Sequence, residues 1–174
     1  MIHLRAIEPE DLDLLYTIEN DPDLWNVGTT NVPYSRYVLH DYIAQSSGDI
    51  YTDRQVRLII ELGGDHDSAQ PTTVGIVDLV NFDPRNRRAE VSIVIQKPFR
   101  RKGYAREALA QLADYAHAVL HLHQLYAIVD TENTISASLF KTSGYTANIP
   151  LKDWLYDGEN YHDATLYLKK IEKR

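Results

Sequence analysis

The stretch PFRRKGYAREAL, residues 98–109, sets Arg100, Arg101 and Lys102 immediately before Gly103 and a run with helical spacing. The first N–H groups of a helix have no partner inside it, and such an end favours an anion. Lys97, Arg100, Arg101, Lys102 and Arg106 meet no acid within their own interval. Cations at a helix start oppose its dipole, so a bound anion explains them better than a solvated turn does. Gly103 removes a side chain where a diphosphate would need close backbone approach. A triphosphate loop needs Gly-Lys-Ser/Thr at its end, and here Gly103 is followed by Tyr104. The dinucleotide fingerprint needs further glycines that are missing. A diphosphate held by backbone amides is the reading that survives.

A second kind of chemistry is offered by carboxylates. Glu90 begins the alternating run AEVSIVI, and period-two alternation puts Glu90, Ser92 and Val94 on one face of a strand. Either Glu90 looks along the sheet toward a substrate, or it pairs with Arg87 or Arg88. Asp78 and the acids between Glu8 and Asp23 are further anionic groups. The acidic first third and the cationic knot fit two ligands of opposite charge, or helix-start acids and a solvated surface. His117 and His121 stand four apart in a helical run, without a His-Glu-x-x-His pattern, so no metal is expected. A Gly-x-Ser-x-Gly elbow is absent, as is any cysteine, which excludes thiolate chemistry and disulfides. The formal net charge of −7 argues against nucleic acid as a partner.

These residues need a sheet with helices to hold them. Residues 2–7, 55–62, 74–82, 89–95 and 124–130 read as strands, and DWLYDGENYHDATLYL as a hairpin around Asp157 and Gly158. EPEDLDLLYTIEN, SRYVLHDYIAQ, the run from Ala105 to Leu120 and TISASLFKT have helical spacing. The last should stop near Gly144. Consecutive strands followed by β–α alternation predict a mixed sheet with helices on its faces, an α/β or α+β fold. With 174 residues and no linker or repeat, residues 1–174 form one domain. No apolar run is long enough to span a bilayer, and MIHLRAIEPEDL lacks the pattern of a secretory leader, so a cytoplasmic protein without a membrane partner is expected.

RRKGYA, with Arg100, Gly103 and Ala105, resembles the Gln/Arg-x-x-Gly-x-Gly/Ala loop of the GNAT superfamily of N-acetyltransferases. The resemblance runs from about residue 2 to 170. RNRRAEVSIVI is similar to the strand before that loop, and LHLHQLYAIVDTENTISASLFKTSGY to the next strand and its asparagine-containing helix. Within the superfamily the chain is most similar to the spermidine and ribosomal-protein alanine acetyltransferase branch. The resemblance implies a GNAT acyltransferase fold, a mixed sheet splayed between two parallel strands.

It also implies roles. Acetyl-CoA would be the cosubstrate, with the backbone of Ile93, Val94 and Ile95 along the acetyl group and pantetheine. The amides of Arg101, Lys102, Gly103, Tyr104 and Ala105 would cradle the diphosphate, with Arg100 and Arg106 adding charge. Asn133 and Ser136 would contact the arm of the cosubstrate, Asn133 also serving as a helix cap. Transfer of acetyl to an amine needs a neutral amine, hence a base, and Glu90 matches a glutamate of the polyamine enzymes. An amide near Val94 would stabilise the oxyanion. The family tyrosine that protonates the departing thiolate, beside the cosubstrate, falls at Phe140, which has no proton to give. The implied reaction is direct attack by a primary amine: a polyamine, another small amine or a protein N-terminus. The uncharged segment 25–34 weighs against polyamines. A non-catalytic acyl-CoA-binding domain is the rival expectation. A homo-oligomer joined through the tail hairpin is also implied.

Overall fold

The computed structural model describes residues 1–24, 32–63 and 71–172, apart from the side chain of Asn148. The reading of WNVGTTNVPY as an uncharged break falls largely on residues 25–31, outside the described part, as does most of the loop after residue 63. In chain order the elements are β1 (Ile2–Ala6), α1 (Leu12–Glu19), α2 (Arg36–Ala44), α3 (Ile50–Asp53), β2 (Val56–Leu62), β3 (Thr72–Asp83) and β4 (Arg88–Ile95). They continue with α4 (Tyr104–Ala118), β5 (Gln124–Asp130), α5 (Thr134–Thr142), β6 (Thr146–Tyr156) and β7 (Tyr161–Lys170).

The strands form one seven-stranded sheet in the order β1-β2-β3-β4-β5-β7-β6. Every neighbouring pair is antiparallel except β4 and β5. Two apolar layers follow from alternation along the strands. On one face Val77, Leu79, Val91, Leu125 and Ala127 pack beneath Ala108, Leu109 and Leu112 of α4 and Phe140 of α5. On the other, Ile59 and Ile76 pack with Ile18 of α1, and Val94 joins them. The expected mixed sheet with helices on both faces is therefore present.

Polar anchors fix these layers. Glu107 of α4 accepts from the Ile2 N–H at 3.0 Å, and the Gln111 amide donates to the Ile2 carbonyl at 2.8 Å, which ties β1 to the helix over the site. Arg57 of β2 makes a two-pronged pair with Asp78 at 2.8 and 3.0 Å and reaches Glu19 of α1 at 2.5 Å. A buried arginine left without those acids, or those acids without it, would be an uncompensated charge.

Three details differ from the sequence reading. The hairpin's first strand starts at Thr146 rather than near Asp153, because register shifts between Ala147 and Ile149 and between Leu151 and Leu155 break its alternation. Pro150 is tolerated there because β6 lies at the sheet edge. His121 stands beyond the end of α4 with φ of 54°, so it does not share a helical face with His117. The four-residue helix α3 is too short to show a period and went unread.

Candidate active site

Parallel pairing between β4 and β5 covers only Arg88–Gln124, Ala89–Leu125 and Glu90–Tyr126. Beyond Glu90 the strands part, while β4 stays paired with β3 as far as Ile95 opposite Gly75. The edge of Ile93, Val94 and Ile95 that faces β5 is thereby left without a ladder. Unpaired strand groups are a template for an extended ligand. Ser92 is exposed although it sits in a central strand, so an open cleft reaches the sheet at this point.

Gly75 brings β3 unusually close to that edge. A Cβ at this glycine would lie 2.2 Å from the Val94 carbonyl oxygen, so any side chain here would push β4 away. This close approach left no mark in the spacing of the sequence.

At the far end of β4 the chain passes through the cationic loop. Arg101 has φ of 62° and Gly103 φ of 85°, both left-handed, a backbone pattern that turns successive N–H groups toward one point. α2 and α5 begin under side-chain caps, Ser35 and Asn133. α4 begins at Gly103 with no side-chain cap, and its first internal bond is from Glu107 N–H to the Gly103 carbonyl at 3.1 Å. The N–H groups of Tyr104, Ala105 and Arg106 therefore lie before the helical ladder. Arg100 folds back to donate to the Ile95 carbonyl at 2.9 Å, and Lys102 stands 5.7 Å from the Phe99 ring centre. Lys97 is drawn off by Asp23 at 2.7 Å. Uncapped amides, two left-handed residues and exposed cations meet here in a cradle whose chemistry would suit a diphosphate, and the free edge of β4 leads from it into the cleft. The residues fit coenzyme A.

Asn133 Oδ1 accepts from the Ser136 N–H at 3.1 Å, so the capping role is present. Its Nδ2 makes no hydrogen bond among the described residues and stays open for a ligand. Phe140 is buried in the core, its ring edge-on to Tyr145 at 5.1 Å and stacked on Tyr167 at 6.2 Å.

Glu90 lies on the α1 side of the sheet with Ser92 and Val94. It pairs with neither Arg87 nor Arg88: Arg88 meets Asp83 at 3.4 Å, and Arg87 donates to the His121 carbonyl at 2.7 Å. Its partner is Asn81, whose Nδ2 donates to Glu90 Oε2 at 2.7 Å. Tyr126 stands opposite in the last parallel pair, its phenol pushed up by burial and by the charge of Glu90. Asn81 and Tyr126 were not foreseen, although the slip in alternation at VNF of residues 80–82 was the available signal for Asn81. Asp78, a candidate anion for a cationic acceptor, is committed to Arg57 instead. A cavity of about 200 Å³ opens beside Val94, with Ile18 and Leu24 on its wall and Asp21 as a carboxylate. Away from the cleft, Asp130, Glu132 and His162 hold their ligand-type atoms within 4.8 Å of one another. There His162 Nε2 is engaged by Asp157 at 2.5 Å.

Comparisons with known proteins agree with this fold. The model of the acetyltransferase (GNAT) domain matches residues 2–146. The spermidine N(1)-acetyltransferase of Escherichia coli is 28% identical over 164 residues, covering 94% of this chain and 82% of that one. A putative ribosomal N-acetyltransferase of Bacillus subtilis is 28% identical over 170 residues, covering 95% and 89%. The crystal structure of spermidine N-acetyltransferase from Vibrio cholerae in complex with CoA and spermine superposes with a TM-score of 0.82 at 25% identity, covering 98% of this chain and 95% of that one. With the cradle, the splayed strands and the matching domain in agreement, the chain belongs to the GNAT family of acetyltransferases and is an acetyl-CoA-dependent N-acetyltransferase.

Proposed function

We propose that the protein moves acetyl from acetyl-CoA to a primary amine by direct attack in a ternary complex, with Glu90 as the base. The carrying observation is the position of Glu90 at the last parallel pair before β4 and β5 part, beside the exposed Ser92. Acetyl-CoA, when bound, supplies an acetyl thioester activated for attack. The amides of Arg101 to Ala105 hold its diphosphate, Arg100 and Arg106 add charge, and the free edge of Ile93–Ile95 aligns the arm. Asn133 Nδ2 and Ser136 contact that arm from α5. An alkylammonium is protonated near neutral pH and must lose a proton before it attacks. Glu90 receives that proton through water in the cleft, since four strand residues, roughly 13 Å, part it from Val94, and a backbone amide near Val94 faces the developing oxyanion.

The acceptor is an amine of the kind named in the relatives, with spermidine first among those to try. Glu90 and Asp21 are the carboxylates available to its ammonium groups, since Arg57 neutralises Asp78 and Glu19. A homo-oligomer through the tail hairpin is supported by the exposed Ile149, Trp154, Tyr156 and Tyr161. The test is thiol release from acetyl-CoA over spermidine, small monoamines and N-terminal peptides. We expect amine-dependent thiol, and a loss of at least about 100-fold in Glu90→Gln. Tight CoA binding with no amine-dependent thiol from any acceptor would refute the proposed activity. Full activity of Glu90→Gln would refute the base.

A further inference from the structure

We infer that Asn81 is the positioning residue for Glu90, placed by a bulge in β3 so that one carboxylate oxygen is held and the other is left for the amine. The inference rests on Glu90 acting as the base.

Val80 pairs with Glu90 and Asp83 with Arg88, so two residues of β3, Asn81 and Phe82, stand opposite Ala89 alone. An extra residue of this kind is a β-bulge, a device that re-aims a side chain beside a site. Asn81 is the residue that absorbs it, with φ of 50°. Asparagine tolerates that left-handed backbone better than other side-chain-bearing residues do. The bulge has two effects. It returns Phe82 to the buried layer under α4, on the side of Leu79. It also leaves Asn81 exposed on the strand margin with its amide aimed at Glu90 Oε2, 2.7 Å away. An unbroken alternation would have sent residue 81 to the buried face.

The chemistry of the partner matters. A neutral amide donor favours the ionised carboxylate without cancelling its charge, as an arginine would. Asp78 shows the contrast: paired two-pronged with Arg57, both of its oxygens are consumed. Among the described residues only Oε2 of Glu90 is engaged, which leaves Oε1 to receive a proton. Tyr126 of β5 is the pair partner of Glu90 and feels its charge, and the nearby Arg88 and Asp83 are paired with each other. Asn81 is therefore the polar contact that fixes where the Glu90 carboxylate points.

The experiment compares Asn81→Gly, Asn81→Asp and Glu90→Gln by thiol release from acetyl-CoA with the best amine across pH. Glycine keeps the left-handed backbone and removes only the amide. We expect Asn81→Gly to lower kcat/KM for the amine about ten-fold or more, with CoA affinity unchanged. Asn81→Asp puts a like charge against Glu90 and should move the acid limb of the pH profile upward by about one pH unit. Adding Asn81→Gly to Glu90→Gln should cause no further loss, because both act through one carboxylate. A wild-type rate and profile in Asn81→Gly would overturn the inference. So would a lowered rate with an unmoved acid limb in both variants, which marks a merely structural residue. Should Asn81→Asp fail to fold, the glycine variant and the double variant decide alone. An active Glu90→Gln would instead remove the base on which the inference depends.

Discussion

At position 140 a phenylalanine ring closes against Tyr145 and Tyr167, with 5% of its surface exposed to water. The packing accounts for an aromatic there, and where the resemblance to the family sets a tyrosine acid, this residue offers no hydroxyl. A thiol of ordinary pKa near about 8.5 leaves tolerably without help, so the proposed reaction would be slowed rather than abolished. We expect Phe140→Tyr to raise kcat about ten-fold or more while leaving the CoA affinity near wild type. An unchanged kcat would show that departure of the thiolate does not limit the rate. Single residues were unevenly legible. Gly103 and Asn133 announced themselves, because a glycine opening a helix and a side-chain cap are local events. Asn81 did not, because its role depends on a carboxylate from a neighbouring strand.

β4 works as an element because three constraints meet along eight residues. Arg88 to Glu90 are held by both neighbours, and the rest by β3 alone. Gly75 then allows β3 to press against Val94. An added methyl at that glycine would overlap the carbonyl oxygen, and the strand must give way. Gly75→Ala should therefore cost about 1–3 kcal/mol in urea unfolding and weaken CoA binding in parallel. If stability falls and CoA affinity does not, the geometry of this edge is irrelevant to the cosubstrate. The helices were easier to foresee than such contacts, since α4 shows its apolar stripe at Ala108, Leu109, Leu112 and Ala116 over a full fifteen residues. The bulges in β3 and β6 were harder, because an inserted residue is defined by its partner strand, and the slip at VNF was the one local trace of the first.

In the whole molecule the cationic loop continues directly from the splayed half of β4, which the sheet and α4 hold together, so cosubstrate binding should be felt globally. At a CoA concentration of about 100 times Kd the fold gains about 2.7 kcal/mol, a rise in Tm of about 5–10 °C for a chain of this size. Gly103→Val should lose that rise and on its own melt about 2–8 °C below the wild type, the cost of a β-branched residue at positive φ. A Cβ at Gly103 meets no atom within 4 Å, so the fold has room for it, but φ of 85° is strained for valine. A preserved shift would place the diphosphate elsewhere. The sequence by itself determined the element types, the cationic helix start and the family, because periodicity, caps and loop motifs are short-range patterns. Only the tertiary structure decided that Asp78 is spent on Arg57, that Glu90 is held by Asn81, and that β4 parts from β5 just past Glu90. Those outcomes depend on register between strands distant in the chain, which no local spacing encodes.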